Sequence, residues 1–451
     1  MAGLNRILSR KRGAEGFSVW HIWLAVAMVT AGTLLPLAYW PGLMTQDSVR
    51  QYWQALHGGL DDWHPPVMAV LWRQFIPIWF GPPPMLLMQL GLMAGGFFAL
   101  IGWSAGLRRS RLAVGIALCA LFPAQVALMG EVVKDSLMTA ALVASAGILA
   151  LVHGRRAVAL RTLGIILIVF SACLRFNAFP AGLPLLIAML EPAWRGSWRR
   201  MTATALIGTA ILGAAIPVSN RLTGAKSSGV ELSLVIFDLG GITRNSGVDV
   251  FPDIGVPHTI ESNQKCYSPV KWDTYSWWAA PLCPINFDDV KRHFRANHLS
   301  PYGYWIRTVA AHPIAYARHR VAHWNINVRF WIHKEPSYIV KPKMAANPWG
   351  LYTYASETTR DLRKAAEFTA ALPTGWPCVW MAVALGVLLI SRRLETAWLA
   401  APLAASTLLY GLGYLIFSVA SDYRYHLWTV AGSAIAAMIA GSDLLRGAER
   451  K

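Results

Sequence analysis

The sequence predicts an α-helical polytopic membrane protein: about ten transmembrane helices, two interfacial helices in the first outer loop, and one mixed outer domain between spans 7 and 8. Four observations carry that prediction. Of 451 residues, 55% are hydrophobic and only 14% charged, too apolar a balance for a soluble chain. Runs of roughly 18 or more apolar residues recur, each long enough to cross about 30 Å of hydrocarbon as a helix. The runs are continuous rather than alternating, which favours helices over a barrel. Finally, the basic residues sort by side, as the positive-inside rule requires.

The spans fall at about 17–40, 83–106, 112–130, 136–153, 161–175, 178–193, 201–219, 373–390, 395–419 and 427–442. Short segments on one side hold Arg6, Arg10, Lys11, Arg12, Arg108, Arg109, Arg111, Arg155, Arg156, Arg161, Arg195, Arg199, Arg200, Arg392, Arg393, Arg446, Arg450 and Lys451. Short segments on the other side hold only Arg50, Arg73, Lys134, Arg175 and Arg424. That asymmetry puts both termini in the cytoplasm. It also accounts for the net charge of +18 without nucleic acid as a partner. The chain divides into a transmembrane module at 1–219 with an interfacial loop at 41–84, an outer domain at 220–372, and closing helices at 373–451.

The first apolar run follows basic residues as a signal peptide would. It is long, and no small-x-small cleavage site follows, so it reads as a retained span. In the first loop, residues 48–57 (SVRQYWQALH) place Val49, Trp53 and Leu56 on one helical face, and Gly58-Gly59 ends the helix. His64-Pro65-Pro66 opens a second helix, VMAVLWRQFIPIWF, with Trp72 and Trp79 suited to the bilayer interface. Were that helix a span, Arg73 would sit in mid-membrane and every later basic cluster would change sides.

Outer turns carry the polar chemistry. They read GEVVKDS (130–136), LRFNAFP (174–180) and SDYRYH (421–426). Ionisable groups at membrane depth default to a pathway or a site. Asp47, Glu131, Lys134, Asp135, Arg175, Asn177, Asp422 and Arg424 all sit at the outer ends of apolar runs. In the outer domain, FDDVKRHFRANHL and YGYWIRTVAAHPIAYARHRVAHWNINVRFW are helical in pattern. GGITRNSG and DVFPDIG are turn-rich. Cys266 and Cys283 lie in the same outer segment, where an oxidising compartment permits them to pair.

No Walker loop, HExxH, GxSxG or CxxC is present, so what remains is carboxylates opposite fixed cations. A carboxylate can take a proton from a hydroxyl nucleophile, while guanidinium and ammonium groups stabilise a leaving phosphate. At a bilayer edge this suits a lipid-linked phosphate. Each charge also has a plain structural reading: Asp47 as a helix N-cap, and Lys134-Asp135 and Asp422/Arg424 as ion pairs at helix ends.

The pattern PGxxxxDSxxQYxxAxxG followed by HPP (Pro41 to Pro66), Lys134-Asp135, LRxN (Leu174 to Asn177) and DxRY (Asp422 to Tyr425) resembles bacterial GT-C membrane glycosyltransferases. The architecture is similar to that of the polyprenyl-phosphate mannosyl and aminoarabinose transferases. The resemblance implies inverting transfer of a sugar from a polyprenyl-phosphate donor to a glycan or lipid acceptor at the periplasmic face of the inner membrane. It implies Asp47 as general base and Lys134, Arg175 and Arg424 as donor-phosphate contacts. Asp61, Asp62, Glu131 or Asp135 could supply a second carboxylate, and His64, Asn177, Asp422 and Tyr425 further substrate contacts. A divalent cation is an option the resemblance leaves open. An O-antigen polymerase or ligase, a transporter or flippase, and a non-catalytic scaffold are the rival readings.

Overall fold

The computed structural model describes residues 17–152, 157–279, 283–332 and 338–449. The basic residues Arg6, Arg10, Lys11, Arg12, Arg155, Arg156, Arg450 and Lys451 lie outside the described residues. In chain order the helices are α1 (Val19–Leu34), α2 (Gln46–His57), α3 (Val67–Phe75), α4 (Pro83–Gly106), α5 (Ser110–Ala120), α6 (Pro123–Leu128) and α7 (Lys134–Leu151). Next come α8 (Ala157–Leu174), α9 (Phe179–Met189), α10 (Trp198–Thr223), α11 (Glu231–Ser246), α12 (Thr259–Cys266), α13 (Phe287–Ala296), α14 (Pro301–Ala311) and α15 (Pro313–Val328). The chain closes with α16 (Glu357–Ala371), α17 (Pro377–Ile390), α18 (Ala397–Phe417) and α19 (Leu427–Glu449).

Seven of these segments are long and apolar enough to cross a membrane, which defines a helical multi-pass membrane protein. They are α1 with its 3-10 extension to Tyr39, α4, α7, α8, α10, α18, and α19 with its preceding 3-10 turn. The three remaining expected spans are shorter helices. The run at 112–130 breaks into α5 and α6 at Phe122, the residue before Pro123, because the proline ring disfavours helical backbone in front of it. The runs at 178–193 and 373–390 reduce to α9 and α17.

The bundle has two distinguishable ends. At one, Ser18 N donates to Ser110 Oγ at 3.1 Å, and Arg109 pairs with Asp443 and with Glu395 at 2.5 and 2.8 Å. At the other gather the first loop, the α6–α7 and α8–α9 turns, helices α11 to α16 and the α18–α19 turn.

The segment expected to be mixed is helical, with isolated bridges and no strand among the described residues. Its own core packs Phe237, Leu239, Tyr275, Phe287 and Phe294. The GGITRNSG stretch, expected to be turns, is the second half of the buried helix α11. A Cβ on Gly240 would meet the Tyr275 hydroxyl, and one on Gly241 the His319 ring. The two glycines therefore mark close helix packing rather than a turn. Cys266 and Cys283 are joined in a disulfide, with Cα atoms 5.1 Å apart.

Candidate functional site

The first loop builds the site. Thr45, not Asp47, occupies the N-cap of α2, and its backbone N–H donates to Ser48 Oγ at 3.2 Å in a capping box. Asp47 falls in the first turn, beyond the cap, and its carboxylate is free for other partners. Ser48 Oγ then donates to Val132 O at 2.6 Å, tying the turn to the α6–α7 connection.

The buried face of α2 is Ser48, Gln51, Tyr52 and Ala55. Of the expected apolar face, Trp53 is 46% exposed, while Val49 and Leu56 are half-buried against the core. Neighbouring backbone satisfies part of the buried polar face, with Gly81 N donating to Tyr52 OH at 2.7 Å, whereas the Gln51 side chain makes no hydrogen bond among the described residues. Gly58 and Gly59 end the helix at φ of +81° and +68°, where a side chain would be strained. Arg73 Nε and Nη2 donate to Ala55 O and Gln54 O, each at 3.0 Å, and so close the last turn of α2. Trp72, expected at the bilayer interface, is fully buried and donates to Gly81 O at 2.9 Å. Helix α3 ends at Phe75, short of the expected Phe80, since Pro77 follows.

Around Asp47 the turns converge. Arg424 Nη2 lies 2.9 Å from Asp47 Oδ2, and His64 Nε2 lies 3.9 Å from Oδ1. The Lys134 ammonium, which has only donors, donates to His64 Nδ1 at 3.0 Å. That leaves His64 Nε2 to carry the ring proton toward Asp47. Asp135 is fully buried at the start of α7, pairs with Arg175, and lies 3.8 Å from Arg424 Nε. Asp422 Oδ2 lies 3.2 Å from the same nitrogen. Arg175 Nε donates to Asn177 Oδ1 at 3.0 Å, and its guanidinium carbon sits 4.2 Å from the centre of the Tyr425 ring.

Burial pushes the Asp47 carboxyl up, but the charges of Arg424 first and Lys134 with it outweigh it and hold it well below the usual carboxylate range. Burial, then the Lys134 charge, push His64 down to about 3, so the ring is neutral. The Asp47 side chain keeps 31% of its surface, whereas Arg424 keeps 11% and Asp135 none.

Nine of the expected residues therefore meet: Asp47, His64, Lys134, Asp135, Arg175, Asn177, Asp422, Arg424 and Tyr425. Three are engaged elsewhere. Asp61 accepts from Arg50 Nη2 at 2.5 Å. Asp62 accepts from the Ser228 amide and hydroxyl at 2.6 Å, stitching the first loop to residue 228. Glu131 accepts from the Lys341 amide at 2.7 Å, and burial pushes its carboxyl up to about 7.

Two tyrosines that sequence patterns did not single out complete the wall. Tyr414 donates to Tyr410 OH at 2.7 Å and its ring stacks on Tyr425 with centroids 5.9 Å apart. Their i, i+4 spacing on α18 is the one available signal.

The residues present do not fit a divalent cation. Arg424 fills the space between the carboxylates, and among the described residues no three His, Cys, Asp or Glu side chains come together to hold a metal. In comparisons with known proteins, no family model and no curated protein matches the chain.

Proposed function

We propose that the protein is a bacterial inner-membrane glycosyltransferase that moves a sugar, with inversion, from a polyprenyl-phosphate donor to an envelope glycan or lipid. In this reading the chain has ten spans with α5, α9 and α17 as the short ones, cytoplasmic termini, and the Asp47 end of the bundle facing the periplasm. The observation that carries the reading is one partly exposed carboxylate, Asp47, set among buried cations at the end of a bundle of apolar helices.

Asp47 takes the proton of the acceptor hydroxyl as that oxygen attacks the anomeric carbon. The bond from that carbon to the phosphate oxygen breaks, and the phosphate leaves with the electron pair. Lys134 is bonded to a neutral imidazole, so its charge is available to the leaving phosphate. Arg424 keeps Asp47 ionised in the resting site. A phosphate that draws on the same cations raises the basicity of Asp47 as it is needed.

A transporter would set its charges near the bilayer midplane; here they collect at one end. The test is reconstitution in vesicles with a panel of polyprenyl-phosphate sugars, comparing wild type with Asp47→Asn. Transfer is expected in wild type and lost in the variant. Undiminished transfer by the variant overturns the base assignment, and a wild type that consumes no donor overturns the enzyme reading.

A further inference from the structure

We propose that Arg424 is a built-in counter-ion for Asp47, Asp135 and Asp422, so that the site works without a bound metal. The activity arm of the test below rests on the glycosyltransferase reading; the other arms do not.

Three carboxylates from three distant parts of the chain aim at one guanidinium, at 2.9 Å for Asp47, 3.2 Å for Asp422 and 3.8 Å for Asp135. Carboxylates gathered around one point repel one another unless protons or a positive charge intervene. A metal would bind their oxygens at roughly 2.0–2.6 Å and would need the central volume. The guanidinium holds that volume with a charge that no accessible pH removes.

Its surroundings fix it there. The Tyr425 ring lies 5.6 Å from its carbon and 4.2 Å from that of Arg175, so one aromatic ring serves both cations. Arg175 takes the other oxygen of Asp135, which orients that carboxylate toward Arg424. Glu131 is the remaining acid whose charge reaches Arg424, while Lys134 and His64 act on it across Asp47.

One edge stays uncommitted. Arg424 Nε faces Asp422 and Asp135 at ion-pair distance without a hydrogen bond, and Nη1 is buried with no hydrogen bond among the described residues. A buried donor without a partner is costly, so this nitrogen is the place for an oxygen of an anionic ligand, as an open coordination position would be on a metal.

The experiment uses the full-length protein in detergent and compares wild type, Arg424→Ala and Arg424→Lys. Manganese titration followed by electron paramagnetic resonance is expected to show no saturable site in wild type. A manganese site that disappears in Asp47→Asn overturns the inference. Thermal unfolding of Arg424→Ala at pH 8 is expected several degrees below wild type, and partly restored at pH 5 as the carboxylates take protons, or by millimolar guanidinium beyond the effect of equal sodium chloride. Arg424→Lys, which keeps the charge, is expected near wild type and serves as the reference if Arg424→Ala does not fold. An Arg424→Ala protein as stable as wild type at pH 8, or an Arg424→Lys protein as unstable as Arg424→Ala, overturns the inference. In the transfer assay, wild-type turnover is expected to be unchanged by a chelator; a chelator-induced loss that manganese restores overturns it. If no donor is consumed under any condition, the glycosyltransferase reading fails while the manganese and unfolding results still decide the role of Arg424.

Discussion

Two aspartates in this molecule are each held by an arginine and flanked by a histidine, yet they differ in every other respect. Asp238 in α11 is fully buried; it receives Arg320 Nη2 and Trp305 Nε1 at 2.7 Å each and has His319 Nε2 at 3.1 Å. Arg320 also donates to Ser418 O at 2.6 Å, and Tyr267 OH lies 2.8 Å from His319 Nδ1. Asp47 keeps part of its surface, with its histidine 3.9 Å away. The first arrangement is closed, and it braces α11, α14 and α15 to the end of α18. The second is open, and its charges are arranged for something that arrives. Both clusters hold buried donors without a hydrogen-bond partner, Arg320 Nε in one and Arg424 Nη1 in the other, so exposure of the carboxylate, rather than the presence of an ion pair, separates a site from a brace.

Substitutions sharpen that contrast. The largest effect is expected on turnover: Asp47→Asn should lower sugar transfer by about 10²–10⁴-fold, with a melting temperature close to wild type. Equal losses in melting and transfer would make Asp47 a brace as well. Arg320→Met should do the reverse, destabilising by about 3–5 kcal/mol because Asp238 loses its buried partner, as read by thermal unfolding in detergent. Reduction of the Cys266–Cys283 disulfide should cost about 2–4 kcal/mol, seen as reductant-sensitive melting that a Cys266→Ser, Cys283→Ser double variant no longer shows.

The smallest effect is in pH dependence. Glu131 binds its proton more tightly when folded, because burial pushes its carboxyl from the ordinary 4.5 up to about 7. Its contribution is therefore fully present below pH 4.5 and is lost as pH rises through 7. The Lys341 amide, Arg424 and Asp422 are the groups that face it. Glu131→Gln should flatten the fall of melting temperature between pH 4.5 and 7; an unchanged slope assigns it to another group.

Much of the membrane architecture was legible because apolar length is a local property. Helices α2 and α3 were legible too, since Gly58-Gly59 and His64-Pro65-Pro66 are local punctuation. The clustering of KD, LRFN and DYRY turns followed once the spans were placed, because turns at one end of a bundle are neighbours. What escaped reading was decided by distant partners. Trp72 is buried because Gly81 accepts its N–H, and the polar face of α2 turns inward because Val132 and Gly81 meet it. Asp61 and Asp62 have the residue type of a site but are held by Arg50 and Ser228. The Gly240-Gly241 pair has turn composition and helical structure because Tyr275 and His319 press against it.

The pairing of Asp47 with Arg424 spans 377 positions of the chain. A ribosome working at about 5–20 residues per second needs roughly 20–75 s to cover that distance. Through that interval the first loop is already made while its counter-charge does not yet exist. The aspartate waits in water or beside a helper until the last turn emerges. Final assembly of the pocket is thus a late event in biogenesis, and chains truncated before Arg424 would carry a membrane bundle whose charged end has never closed.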